Sequence, residues 1–163
     1  MRVLENNHGP GLSNCLAGGC QSNCCAFYPN SKSTHLSVFG VPNGEIPVTS
    51  AEVNQLISEG KSELAIQLQD GFWYLKVDSN GRCPFLAEGG LCTRHLNRFA
   101  SCRSYPYFIE KYTGLVVDVS CPGVKDGIFD KESSKEQISA LIELMQARLD
   151  HLAFVFDLSS KKD

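Results

Sequence analysis

The segment Cys83-Pro84-Phe85-Leu86-Ala87-Glu88-Gly89-Gly90-Leu91-Cys92 places two cysteines on either side of a Glu88-Gly89-Gly90 turn. Paired glycines supply the backbone freedom that a tight reversal needs, so the spacing predicts a β-hairpin with a thiol toward each end. Two thiols nine residues apart can serve one metal only if the chain folds back between them. The sequence therefore predicts that Cys83 and Cys92 face each other across this turn.

Upstream, Leu64, Ile66 and Leu68 alternate with Ala65, Gln67 and Gln69. Asp70-Gly71 joins them to Phe72-Trp73-Tyr74-Leu75-Lys76-Val77, which predicts a second hairpin. Asp78-Ser79-Asn80-Gly81 then turns the chain into Cys83. Downstream, Phe108-Ile109-Glu110-Lys111 and Leu115-Val116-Val117-Asp118-Val119 flank Thr113-Gly114 and predict a third, which delivers Cys121 at its end. A further short strand is expected at Leu36-Ser37-Val38-Phe39, stopped by Gly40 and Pro42-Asn43-Gly44.

Helical signals flank these hairpins. Thr49 and Glu52 have capping-box spacing, Val53, Leu56 and Ile57 follow on one face, and Gly60 stops the run. Ser133 and Glu136 repeat the capping signal. Ile138, Leu141, Ile142, Met145, Leu149, Leu152 and Phe156 then recur at three and four, the stripe of a helix that packs on its own domain. The fold expected is α+β: short antiparallel β-hairpins holding a cysteine-rich metal site, with a long C-terminal amphipathic helix and one shorter helix. Residues 1–163 read as a single domain, with 1–14 a mobile lead-in and 157–163 a frayed tail.

Composition narrows the function. The chain has 163 residues, 42% hydrophobic and 20% charged, with a net charge of −3. It is neither disordered nor membrane-spanning by composition, and it has no general attraction to nucleic acid or to an anionic membrane. Met1-Arg2-Val3-Leu4-Glu5-Asn6-Asn7-His8 lacks the apolar core of a secretory signal, so a cytoplasmic location is expected. Phosphate-cradling glycine loops, Gly-x-Ser-x-Gly and His-Glu-x-x-His are absent, which makes an enzyme the less favoured reading.

Eight cysteines are the outstanding feature. Cys15, Cys20, Cys24 and Cys25 fall together, and Cys83, Cys92, Cys102 and Cys121 form a second series. Scattered core thiols would not cluster so, and disulfide frameworks belong to exported domains short of core. Coordination by thiolate is the reading that clustering favours. No Cys-x2-Cys pair occurs, which removes the commonest zinc-turn and thioredoxin spacings. The first group, Cys15-x4-Cys20-x3-Cys24-Cys25, lies near the plant-type ferredoxin spacing without matching it. Eight thiols fill two four-ligand sites or one site with spares. Arg82, Arg94, Arg98 and Arg103 are interleaved with the second series. Guanidiniums there would offset the negative charge of several thiolates, or lie on a solvated loop. Arg98 and Arg103, which bracket Cys102, are the candidates for that supporting role. His95 is a lesser candidate ligand, and His151 is expected to have no metal duty.

These residues resemble the cysteine-cluster family of zinc- or iron-chelating proteins. That family opens on Cys-x3-Cys-x2-Cys-Cys, matched by Cys15 to Cys25 with one extra residue in each gap. Its later elements match Cys83 to Cys92, then Arg98-Phe99-Ala100-Ser101-Cys102-Arg103-Ser104-Tyr105-Pro106, with Phe99 where the family has Pro, and finally Cys121-Pro122-Gly123. The module is also similar to that of flagellin lysine methyltransferases, which are associated with an iron–sulfur cluster. The resemblance implies that all eight cysteines are metal ligands. It implies an iron–sulfur cluster or iron as cofactor, with zinc as the alternative, and a protein redox partner beside the metal. A zinc-stabilised interaction module is the second reading, and an accessory part of a protein methylation system the third.

Overall fold

The computed structural model describes residues 46–68, 71–79, 82–88, 91–110, 114–118, 121, 124 and 131–160. The expected Leu36–Phe39 strand and the first cysteine group lie outside the described residues.

A three-stranded antiparallel sheet is built from β1 (Ile46–Val48), β2 (Ala65–Gln67) and β3 (Trp73–Leu75), in the order β1-β3-β2. Ile46 and Ala65 both register with Leu75, and Val48 and Gln67 with Trp73. The β2–β3 hairpin is the one that alternation predicts. Its turn closes with the Gly71 N–H donating to the Leu68 carbonyl at 2.8 Å. Gly71 has φ +74°, a left-handed conformation that costs a side-chain-bearing residue energy. Strand β1 went unanticipated because Pro47 lies at its centre. Proline cannot donate to a ladder, and it is tolerated here because β1 sits at an edge of this sheet.

Helix α1 (Ser50–Ser58) starts and stops as its sequence predicts. Thr49 and Glu52 form the reciprocal capping box, with the Thr49 N–H donating to Glu52 Oε2 at 2.8 Å and the Glu52 N–H to Thr49 Oγ1 at 3.2 Å. At the other end, the Lys61 N–H reaches the Leu56 carbonyl at 2.8 Å and the Gly60 N–H the Ile57 carbonyl at 3.0 Å. This is the Schellman closure, and Gly60 enters it with φ +69°. A 3-10 turn at Ser62–Leu64 leads into β2.

Two short elements escaped the sequence reading: a 3-10 turn at His95–Asn97 and helix α2 (Ala100–Ser104). At three and five residues, neither is long enough to show a periodicity. The hairpin of β4 (Tyr107–Glu110) and β5 (Gly114–Val117) follows, with Tyr107 opposite Val117 and Glu110 opposite Gly114.

Helix α3 (Lys131–Ser160) is longer than expected at both ends. Ser133 and Glu136 lie inside it rather than at its start, and Asp157–Ser160 are helical rather than frayed. The buried face is also rotated from the expected one. Gln137, Ala140, Leu141, Leu144 and Arg148 are buried, whereas Ile142, Leu149 and Leu152 are exposed. The Phe156 side chain lies outside the described residues. Helix α2 takes the position against α3. Its Ala100 packs with Leu144, Phe72 and Tyr74, and this contact selects the Gln137–Leu144–Arg148 side over the more apolar one.

Apolar packing forms two clusters. One joins Ile46, Val48, Val53, Leu56, Leu75, Cys83, Phe85 and Phe99. The other joins Phe72, Tyr74, Ala100 and Leu144. Strand β3 contributes to both, since adjacent residues Tyr74 and Leu75 point to opposite faces of the sheet and both are fully buried.

Candidate metal centre

The predicted Cys83–Cys92 hairpin exists, but its register differs from the expected one. Cys92 bridges to Leu86, and the Thr93 N–H donates to the Phe85 carbonyl at 2.8 Å. Cys83 and Cys92 are therefore not cross-strand partners. Cys83 is held in a turn of its own, where its carbonyl accepts the Leu86 N–H at 3.0 Å, so the paired part of the hairpin begins after it. The Cys92 carbonyl in turn accepts the His95 N–H at 3.2 Å, which sends the chain into the His95–Asn97 turn.

What the thiols share is the core. Cys83 is a buried member of the first cluster, and Cys92 and Cys102 pack against the same cluster. They arrive from three separate segments: the turn before the hairpin, its return strand, and helix α2. Cys102 sits in the first turn of α2, where its N–H donates to the Phe99 carbonyl at 2.9 Å. That helix has no side-chain cap of its own. Instead the Ala100 N–H donates to Glu52 Oε1 at 2.6 Å, so a carboxylate on α1 fixes the helix that carries Cys102.

Cys121 follows β5 as predicted. Its N–H donates to the Asp118 carbonyl at 3.1 Å, its own carbonyl accepts the Val124 N–H at 3.0 Å, and it is buried. Asp118 is tied back to the α2 end of the structure by the Tyr105 hydroxyl, 2.9 Å from Oδ2. None of these four cysteines is in a disulfide. Cys15, Cys20, Cys24 and Cys25 lie outside the described residues. Among the described residues, no three His, Cys, Asp or Glu side chains are grouped closely enough to hold a metal ion.

The arginines divide differently from the expectation. Arg103 donates from Nη2 to Glu143 Oε2 at 2.7 Å and from Nε to the Arg98 carbonyl at 3.2 Å, which ties α2 to α3. Arg98 supplies that carbonyl from the end of the His95–Asn97 turn. The residue the sequence reading passed over is Arg94. It is buried, and its Nη1 donates to both carboxylate oxygens of Glu59 at 2.7 and 2.6 Å. Its guanidinium carbon lies 5.4 Å from the centre of the Phe85 ring and 4.9 Å from that of Phe99, within cation–π range. The hydrogen bond from Arg94 holds the Glu59 carboxyl below its ordinary pKa, with Lys61 adding to the effect against some desolvation. Arg94 already stood in the interleaved set of arginines, but its choice over Arg98 depends on Phe85 and Phe99 closing around it.

The donor chemistry fits a thiophilic metal. Thiolates select zinc, iron and iron–sulfur clusters over hard cations. The described thiols sit at turns and element ends on a packed scaffold, Cys83 and Cys121 within it. The buried Arg94 guanidinium also keeps two nitrogens, Nε and Nη2, without acceptors among the described residues.

No helix among the described residues is long and apolar enough to cross a membrane. Neither the curated proteins nor the solved structures contain a significant match to the chain. The family described as "putative zinc- or iron-chelating domain" matches residues 14–122, more than half of the sequence and the whole cysteine pattern. The chain belongs to this family of metal-chelating domains, whose metal is zinc or iron.

Proposed function

We propose that Cys83, Cys92, Cys102 and Cys121, together with Cys15, Cys20, Cys24 and Cys25, ligate the metal, and that the metal is iron in an iron–sulfur cluster. The observation that carries this reading is that Cys83 belongs to one apolar cluster and that Cys92 and Cys102, from two other segments, pack against it. A reducing compartment such as the cytoplasm suits a site of this kind, because it keeps the thiols available as ligands. The described cysteines supply part of the donor set, and the first cysteine group supplies the rest.

Zinc in the same donors is the second reading, in which the metal staples the hairpins and no electron moves. Anaerobic purification with metal and sulfide analysis separates the two. The expected result is a brown protein with iron and acid-labile sulfide. A colourless zinc protein without sulfide would establish the second reading instead. In either case Cys83→Ser and Cys102→Ser should lower the metal content, and His151→Ala should not. Full metal content in both cysteine variants would remove these residues from the ligand set.

A further inference from the structure

Arg94 is in an unusual state for a buried arginine. Its side chain is only 7% exposed, yet of its three nitrogen atoms just Nη1 is used, by Glu59. Nε and Nη2 are buried and have no acceptor among the described residues. A buried N–H without an acceptor loses its hydrogen bonds to water, and contact with aromatic rings offsets only part of that loss. Such donors imply an acceptor beyond those that the described residues provide.

The surroundings of the guanidinium narrow the choice of acceptor. It lies against Phe85 and Phe99. Phe85 is two residues after Cys83, Arg94 is two residues after Cys92, and Phe99 is three residues before Cys102. Both rings belong to the cluster that contains Cys83 and against which Cys92 and Cys102 pack. Glu59 grips Nη1 from the end of α1, which leaves Nε and Nη2 for another acceptor. Sulfur of a metal-bound thiolate carries negative charge and accepts N–H groups, and it is the acceptor the family's metal would create there.

We propose that Arg94 is a positioning residue for the metal centre, donating from Nε and Nη2 to thiolate sulfur once the metal is bound. The inference rests on the ligand assignment above. It adds that the Glu59–Arg94 pair is a prebuilt support, held in orientation by a carboxylate on one side and two aromatic rings around it. Because guanidinium is planar and forked, lysine would not reproduce it.

Two measurements test this. In the full chain loaded with a spin-half cadmium isotope, the Arg94 Nε–H proton should show scalar coupling to cadmium across the sulfur. Cadmium seated on the cysteines without any coupling or metal-dependent shift at Arg94 would overturn the proposal. With cobalt(II), Arg94→Lys should move the thiolate-to-cobalt charge-transfer band to lower energy and weaken binding by about 10-fold to 100-fold, the range for loss of a supporting hydrogen bond. Gly71→Ala, which destabilises the β2–β3 turn and leaves the guanidinium as it is, should leave the band near its original energy. An equal shift in both variants would make Arg94 a merely structural residue, and an unshifted band in Arg94→Lys would also overturn the proposal. Failure of the underlying ligand assignment looks different: cobalt would not bind, or its spectrum would be indifferent to Cys83→Ser.

Discussion

The carboxylate of Glu52 accepts a hydrogen bond from the Ala100 N–H at 2.6 Å while also accepting one from the Thr49 N–H at 2.8 Å. One side chain thus caps two helices, the second of which begins 48 residues after it. The second of them carries Cys102. Glu52→Ala leaves two helix-end donors without partners and should destabilise the fold by about 2–3 kcal/mol, given ~1 kcal/mol for a cap and somewhat more for a bond to a charged acceptor. Urea denaturation measures this. Hydrogen exchange should show the added opening at Ala100 as well as at Thr49, and an effect confined to α1 would argue that the cross-helix bond is unimportant.

The capping box itself was legible, since Thr49 and Glu52 have local spacing and local consequences. The second role of Glu52 was not, because nothing near Glu52 announces that α2 will dock against it. The same division holds throughout. The β2–β3 and β4–β5 hairpins were readable from alternation and turn residues, and Gly60 from its place after a helical run. The register of Cys92 against Leu86 was not, because the turn at Cys83 delays pairing by residues that sequence does not mark. On α3 the sequence showed an apolar stripe, while docking of Ala100 and Phe72 chose the neighbouring face with Arg148.

Gly71 should not tolerate a side chain. It has φ +74°, and a Cβ would come within 3.0 Å of Nε2 of His151 on α3. Gly71→Ala should cost about 1–2 kcal/mol from the backbone conformation alone, with the contact adding to it. A double-mutant cycle with His151→Ala separates the two, because removing the imidazole relieves the contact and leaves the backbone cost. His151 also packs edge-on against Phe72 at 5.7 Å between ring centres, so the single variant His151→Ala is needed as reference.

Two arginine–carboxylate pairs of similar length should behave differently. Arg103 and Glu143 meet at 2.7 Å with both side chains about half exposed, at 41% and 49%. Glu143→Ala should change stability by no more than about 0.5–1 kcal/mol, and less in high salt. Arg94→Met, in contrast, removes a buried guanidinium from between two rings and leaves Glu59 with Lys61 alone. Its effect on the chemical-denaturation midpoint should be the larger of the two and nearly independent of salt.

Glu59 makes stability depend on pH. Its carboxyl titrates below the ordinary value of 4.5, chiefly because Arg94 donates to it. The unfolded chain therefore binds more protons than the folded one just below that value. The contribution is fully present above the unfolded pKa and is lost as pH falls through the folded one. Glu59→Gln should flatten this part of the stability profile between about pH 5 and the acid limb, as followed by urea midpoints at successive pH values. A Glu59→Gln profile parallel to the original would show that the carboxylate is not the source.

Leu56 is a check on the first cluster. It is fully buried on α1, in the cluster that includes Cys83. Leu56→Ala should destabilise by about 2–5 kcal/mol through lost burial and a residual cavity. Because Cys92 and Cys102 pack against the same cluster, the loss should also appear as faster amide exchange around both.

The burial of Cys83 and Cys121, at 7% and 4% exposed, has a kinetic side. A dissolved reagent reaches such a sulfur only when the surrounding turn opens. Its rate of attack is then the product of an opening equilibrium and an intrinsic rate. Cys92 and Cys102, half-buried at the margin of the cluster, need a smaller opening. Under one bath of reagent, the four thiols would be consumed as a sequence in time, and the order of that sequence would reflect how the hairpin and α2 breathe.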